Sequence, residues 1–338
     1  MTAPLLLSRS EINDVSWNEL IKKSEQQVIY GYSWYLDIVC NDQWKAIVWP
    51  SVDNYQIIMP LPLARKWFVE VIQQPLFCQY LGMFSIQRLT EENVVKFLDC
   101  LSKNFSYISS YHFHPSNTSI LKAPLSESLA FQVKRNTTFW LSLSKSYQTI
   151  RSNYSSDRKK NVKRSIAENW TVIKSEDLAP LLNLFKENHI NQISGGVHKN
   201  AFSILGDLFE KITHYQYSEV FYAAKNGRIH AGILLVTSGK KIIYLFNAAD
   251  KLGRKGNART YLINKFFEEN SGKPGNFDFE SPEIAAIASF YESFGADPTP
   301  YITIRRNDLP YPIREIQNWR LKRLVNTRQA PFEDSLLT

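Results

Sequence analysis

The chain has 338 residues, 44% of them hydrophobic, and 40 Lys and Arg against 32 Asp and Glu give a formal charge of +8. At roughly 100–200 residues per domain this length predicts two domains with enough apolar surface for a substantial core. Cys40, Cys78 and Cys100 show no CxxC spacing, which excludes a zinc ribbon and a disulfide framework and points to buried thiols in a reducing compartment. The N-terminus MTAPLLLSRSEIND lacks a basic leader region, and no segment approaches the ~18 uninterrupted apolar residues of a membrane span. A cytoplasmic chain without a transmembrane segment is therefore expected. The positive charge suits anionic partners such as nucleotides, coenzyme phosphates, tRNA or phospholipid headgroups, and does not choose among them.

In chain order, SWNELIKKSEQ and GYSWYLDIVC read as short amphipathic helices. WKAIVWP, YQIIMPLPLAR and VIQQPLFCQ alternate as strands, EENVVKFLDCLSK is a helix and FSYISSYHF a strand. IRSNYSSDRKKNVKRSIAEN, residues 150–169, is the densest basic run; Ile150, Tyr154, Val162 and Ile166 can share one helical face, with Arg158, Lys159, Lys160, Lys163 and Arg164 mostly on the others. The first order then recurs. LAPLLNLFKENH and AFSILGDLFEKITH are helices, SEVFYAAKNGRIHAGILLVTS is a hairpin turning at Asn226-Gly227, and KIIYLFNAAD is a third strand. NARTYLINKFFEEN is a helix, and NFDFESPEIAAIASFYESFGADPTPYITIRRN closes the pattern as strand, helix and strand. Two similar α/β units follow from this repeat of element order.

Two helices, an antiparallel hairpin, a strand, a helix, a strand, a helix ending FYESFGA and a final strand resemble the GNAT acyltransferase domain. The tandem form, with SWYLD, MPLPL and QPLFCQYLGMF early and FDFES and FYESFGA late, resembles the FemAB-like group of double-GNAT proteins over about residues 15–310. The resemblance implies an α/β (α+β) chain of two tandem GNAT-like domains, each a mixed, mostly antiparallel sheet flanked by helices. It places an acceptor-side domain at 1–145, a donor-side domain at 146–310 and a C-terminal helix and tail at 311–338. It further implies N-acyl transfer from a CoA-type donor to an amino group of a cell-envelope sugar or peptide precursor. Two other readings stay open, an aminoacyl-tRNA-dependent transferase of peptidoglycan type and a non-catalytic glycan-binding module. The expected partners are a small-molecule donor and an amino-sugar or peptide acceptor, with tRNA and a peripheral membrane contact also open.

The residues supply candidates for each role. GRKGNAR lies between a strand and a helix, where backbone N–H groups and the positive end of the helix dipole would face a phosphate. Arg254, Lys255, Gly256, Asn257 and Ala258 are the donor-loop candidates, although Gly253 stands where the GNAT loop usually has Gln or Arg. The alternative is an ordinary basic loop entering a helix. In a GNAT-like frame Tyr291 is the general acid for the leaving group, on a face apart from Phe290 and Phe294, which face the core, with Gly295 ending its helix in a left-handed cap; the other reading is an amphipathic tyrosine at a domain surface or core edge. Glu280 is either the base that takes the amine proton or a helix N-terminal carboxylate before Pro282. Ser281 reads as an N-cap.

In the first half, Trp34, Tyr35, Asp37 and Gln79 group aromatic faces, an acid and an amide as an acceptor site, with core packing as the other reading. Lys160, in the basic run, is an acceptor or RNA contact, or part of a solvated helix face. His112 and His114 share a strand face without a third ligand at metal-like spacing, so no metal is expected.

Overall fold

The computed structural model describes residues 3–66, 69–128, 130–190, 196–280 and 285–319. The chain forms two units: the first runs to Thr137 and resumes at Pro300, and the second is Thr138–Thr299. In order, the first part holds β1 (Leu5–Ser8), α1 (Asp14–Lys23), α2 (Ser33–Cys40), β2 (Trp44–Ser51), β3 (Asn54–Lys66), β4 (Val69–Gln73), β5 (Phe84–Ser85), α3 (Glu91–Asn104), β6 (Tyr107–His112) and α4 (Thr118–Glu127). There follow β7 (Gln132–Ser142), α5 (Tyr147–Ser152), α6 (Ser156–Ala167), β8 (Thr171–Ser175), α7 (Ala179–Asn188), α8 (Ala201–His214), β9 (Ser218–Lys225), β10 (Arg228–Ser238) and β11 (Lys241–Ala249). The last elements are α9 (Lys251–Lys255), α10 (Ala258–Asn270), β12 (Asn276–Asp278), α11 (Ala285–Glu292) and β13 (Asp297–Asn307). Residues 313–319 are helical, and the remainder of the expected C-terminal helix and tail lies outside the described residues.

The first unit's sheet runs β1-β2-β3-β4-β6-β13, with β5 on β3, and the second unit's runs β7-β12-β11-β10-β9-β8. Both are antiparallel apart from one parallel pair each, β4 with β6 and β11 with β12. The strand that closes each sheet comes from the opposite half of the sequence: β13 pairs with β6, and β7 with β12. For that reason the divisions fall at 137/138 and 299/300, where sequence reading places them at 145/146 and 310/311.

Local sequence explains most elements. The stripe Val94, Phe97, Leu98 and Leu101 buries one face of α3, which Thr90 caps by accepting the Asn93 N–H. Asn226 (φ 51°) and Gly227 (φ 75°) turn the β9/β10 hairpin with two left-handed residues, as a tight primed turn demands. Two expectations change. The strand expected through Gln79 stops at Gln73, because Pro75 has no N–H for a ladder and Phe77 turns left-handed (φ 56°). The basic run forms two helices, because the Ser155 hydroxyl accepts the Arg158 N–H and starts a new one. This restart resets the helical phase: Arg158, Val162 and Ser165 turn inward, while Ile166 is exposed.

Candidate active site

In each unit the parallel pair separates. β4 and β6 stay in register only to Gln73/Ser110. The chain itself occupies the space beyond: the Gln74 carboxamide oxygen accepts the His112 N–H (3.1 Å), and Leu81 bridges Phe113. β11 and β12 pair only from Lys241/Asn276 to Ile243/Asp278, after which β11 continues to Ala249 while β12 ends. Tyr244, Phe279 and Tyr291 cluster beyond that last pair, with Phe279 stacked on Tyr291 at 4.7 Å and Tyr244 edge-on to Tyr291 at 6.3 Å.

Tyr244 owes its direction to a bulge. Leu234 pairs with Phe246 and Leu235 with Tyr244, leaving Leu245 as the extra residue. Residues two apart would share a face in a regular strand, yet Tyr244 packs with Phe277 and Phe279 while Phe246 packs with Phe185 of α7. The Tyr244 hydroxyl is buried without a hydrogen-bond partner among the described residues, and burial first of all pushes its pKa up to about 12. Sequence periodicity carries no sign of the bulge, so Tyr244 is a site residue that sequence reading misses.

Tyr291 is 7% exposed and belongs to the same aromatic core as Phe279 and Phe294, not to a face apart from the phenylalanines. Phe279 stacks on both rings and joins them. Burial, and then the neighbouring Tyr244, hold its phenol far above the ordinary tyrosine range, so the hydroxyl stays protonated and releases its proton less readily than an ordinary tyrosine. Gly295 has φ 73° and follows the last turn of α11, as a left-handed cap requires; a Cβ there would also stand 2.7 Å from that of Asn153.

Glu280 departs from the expected strand alternation. Its φ of 59° turns the chain just past β12, and its N–H donates to Asp278 Oδ1 (3.0 Å). Asp278 is fully buried and takes a second bond from Thr138 Oγ1 (2.9 Å). A left-handed non-glycine residue is strained and marks a turn held by its surroundings. The carboxylate of Glu280 raises the pKa of Tyr291 electrostatically, which puts the two candidates in one neighbourhood. Ser281 lies outside the described residues.

The expected donor loop is folded differently. Asp250 caps α9 by accepting the Gly253 N–H (2.7 Å); the N–H groups of Arg254, Gly256 and Asn257 donate to the carbonyls of Asp250, Leu252 and Arg254. These backbone donors are satisfied internally and form no phosphate cradle. The glycines serve packing instead. A Cβ on Gly253 would stand 2.1 Å from the His230 carbonyl oxygen, and one on Gly256 would stand 2.4 Å from the Trp170 ring. Arg254 donates to the Ala249 carbonyl (2.8 Å), and Lys255 is exposed. Asn257 is left-handed (φ 54°) and makes no side-chain cap, and Ala258 is buried at the head of α10.

Arg158 lies in the second unit's interior, 5% exposed, although sequence reading puts it on a solvent face. It donates to Ser293 Oγ (2.9 Å) and Thr260 Oγ1 (2.5 Å), with its guanidinium carbon 4.2 and 4.4 Å from the Phe290 and Phe294 ring centres. Burial chiefly lowers its pKa to about 10. Arg259 donates to Asn247 Oδ1 (2.8 Å) and stands 5.7 Å from the Phe290 ring centre. Reading Ser155 as an N-cap would have turned Arg158 inward from sequence alone.

Among the first-half candidates, Asp37 is a structural ion-pair member: it accepts from Arg9 Nε (2.6 Å), Arg9 Nη2 (2.8 Å) and Trp44 Nε1 (2.8 Å). Tyr35 is fully buried and donates to the Phe77 carbonyl. Trp34 is half-buried against Tyr32 at 5.9 Å. The Gln79 carboxamide is buried, and among the described residues neither its oxygen nor its nitrogen has a hydrogen-bond partner. Lys160 is exposed and pairs with Asp157 at 3.3 Å. His112 Nδ1 bonds the Gln79 carbonyl, while His114 Nδ1 accepts the Ser116 N–H. Among the described residues no three His, Cys, Asp or Glu side chains group as metal ligands, and no helix is long and apolar enough to cross a membrane.

No family model and no curated protein matches the sequence. Solved structures do match. FemX is similar with a TM-score of 0.63 at 12% identity, over 86% of this chain and 96% of that one. A conserved protein of unknown function from Bacteroides thetaiotaomicron gives 0.55 at 11%, over 90% and 100%. L-PGS from Bacillus licheniformis gives 0.52 at 11%, over 91% and 96%. At such identities the likeness is one of fold, and it agrees with the repeated element order: the chain has the FemAB-like tandem GNAT fold.

Proposed function

We propose that the second unit is the catalytic half of an acyltransferase that moves an acyl group from an activated thioester or ester to an amino group of an envelope sugar or peptide precursor. The observation that carries this reading is the end of the β11/β12 ladder at Ile243/Asp278, with Tyr291 clustered with Phe279 and Tyr244 just beyond it. In the proposed step the amine nitrogen bonds to the acyl carbon and loses a proton to Glu280, directly or through water. As the bond to the thiolate or ribose oxygen breaks, Tyr291 protonates the leaving atom and regains its proton from solvent.

One observation favours a second reading of the donor. A coenzyme A diphosphate would need free N–H groups in the loop before Ala258, and those of Gly253, Arg254, Gly256 and Asn257 are already bonded. That supports an aminoacyl-tRNA donor, whose phosphates need not lie in this loop. The test is a mass-spectrometric screen of acyl-CoAs and charged tRNAs against amino-sugar and peptide acceptors. An acylated product that requires one donor class is expected and assigns the donor. Glycan binding with no product from any pair would overturn the enzyme reading in favour of a binding module.

A further inference from the structure

The helical residues 313–319 belong to the first unit, and their two sides differ in what holds them. Ile313 packs against the cluster of Val71, Tyr107 and Leu309, and Gln317, one turn on, is buried. Asn307 Nδ2 donates to the Arg314 carbonyl (3.2 Å) and to Asn318 Oδ1 (2.8 Å), which ties this helix to the end of β13. That anchoring turns the other side outward. Ile316 is 49% exposed and Trp319 54%, while Tyr311, just before the helix, is 79% exposed. Among the described residues Tyr311 and Trp319 are the two most exposed aromatic side chains. Exposed apolar residues scattered singly need no explanation, but two open aromatic rings and an isoleucine in one short stretch do.

The charge beside them has one sign. Arg314 and Glu315 pair with each other at 3.2 Å. The sequence after Trp319, RLKRLVNTR, then carries Arg320, Lys322, Arg323 and Arg328, with no acid before Glu333 and with Leu321, Leu324 and Val325 between the charges. A layer of anionic lipid headgroups accepts this combination: amphipathic rings lie at headgroup depth, aliphatic side chains reach the acyl boundary, and Lys and Arg meet the phosphates. A single-stranded RNA would use the rings and the charges but gains nothing from the aliphatic residues. An ordinary solvated helix end accounts for the Arg314–Glu315 pair and leaves the open tryptophan unexplained.

We propose that Tyr311, Ile316 and Trp319, together with the basic run after them, dock the first unit on a membrane surface of anionic phospholipid. The proposal stands apart from the reaction assigned to the second unit, and its test needs no turnover.

Co-sedimentation of the full chain with lipid vesicles tests it. Binding to vesicles of mixed phosphatidylglycerol and phosphatidylcholine is expected, with little to phosphatidylcholine alone and a decline as salt rises. Replacing Arg320, Lys322 and Arg323 by Gln should weaken binding about fivefold per charge. Trp319→Ala should weaken it about tenfold by removing a half-open ring. Tyr311→Ser, at a side chain 79% exposed, leaves the packing intact and should weaken it several-fold, so the idea stays testable if the Trp319 variant melts early. Lys159, Lys163 and Arg164, exposed on α6, are the control: their replacement by Gln removes as many charges and should change binding less than about twofold. No sedimentation with phosphatidylglycerol vesicles, wild-type affinity in both aromatic variants, or an equal loss in the α6 control overturns the docking surface. Self-association or oligoribonucleotide binding that depends on Trp319, with no vesicle binding, also overturns it and gives the patch to a second copy or to RNA.

Discussion

Removing only the Tyr291 hydroxyl, as Tyr291→Phe, separates chemistry from packing. The ring lies stacked on Phe279 at 4.7 Å with Phe290 at 5.8 Å and Tyr244 and Phe139 both at 6.3 Å, and a phenylalanine keeps all four contacts. Among the described residues the hydroxyl makes no hydrogen bond, so its loss breaks none, and stability should change by less than about 1 kcal/mol. A lost general acid typically lowers the rate about 10²–10⁴-fold. At about 1.4 kcal/mol per tenfold, that is roughly 3–5 kcal/mol of transition-state stabilisation, several times the expected stability change. The assay is steady-state kinetics on the donor and acceptor pair found by the product screen, with a thermal melt of both proteins. Loss should fall on kcat with donor KM unchanged, because proton donation to the leaving atom develops only in the transition state. A poorer leaving group should enlarge it. A Tyr291→Phe protein that melts normally and turns over at the wild-type rate, with chemistry rate-limiting, would show that this tyrosine is a core residue only.

Further predictions concern the packing and charges around the site. Gly253→Ala would set a Cβ 2.1 Å from a fixed backbone oxygen, so α9 must move off β10; a loss of about 2–4 kcal/mol by urea unfolding is expected, whereas Gly206→Ala in α8, with nothing within 4 Å, should gain up to about 1 kcal/mol. Equal midpoints for the two variants would refute the close-approach account. His189, whose pKa is lowered to about 4 by burial and then by Arg259 and Arg254, binds fewer protons folded than unfolded between pH 4 and 6.5. Acidification through that window should therefore cost up to roughly 3 kcal/mol, and His189→Gln should flatten the unfolding midpoint against pH; an unchanged slope would assign the loss elsewhere. Lys241→Met removes a buried ammonium that has no hydrogen-bond partner among the described residues and keeps an apolar chain against the Trp140 ring, over which the ammonium lies at 3.0 Å, and should stabilise the chain by about 1–2 kcal/mol at pH 7. Burial lowers the Lys241 pKa to about 8, so wild-type stability rises above that pH and the variant's advantage should shrink; destabilisation at pH 7 would point to a working role for the ammonium.

By itself the sequence determined the elements and their order, because those rest on local signals. The apolar stripe of α3, the left-handed Asn226-Gly227 pair of the β9/β10 hairpin and the glycine closing α11 each act within a few residues, and each stands where periodicity and turn chemistry put it. Repetition of that order was enough to point to two units. Tertiary structure alone decided what the elements meet. Which sheet receives β7 and β13 depends on pairing between strands far apart in the chain, so the unit boundaries were not legible locally. A single extra residue, Leu245, re-aims Tyr244 toward Tyr291, and no residue type announces it. Asp37 stands beside aromatic residues in sequence, as an acceptor contact would, but in space it meets Arg9 and Trp44, which consume its oxygens. The donor loop shows the same limit most directly: Gly253 and Gly256 stand in a stretch read as a phosphate loop, yet what approaches them is the His230 carbonyl and the Trp170 ring, and only long-range packing could name them.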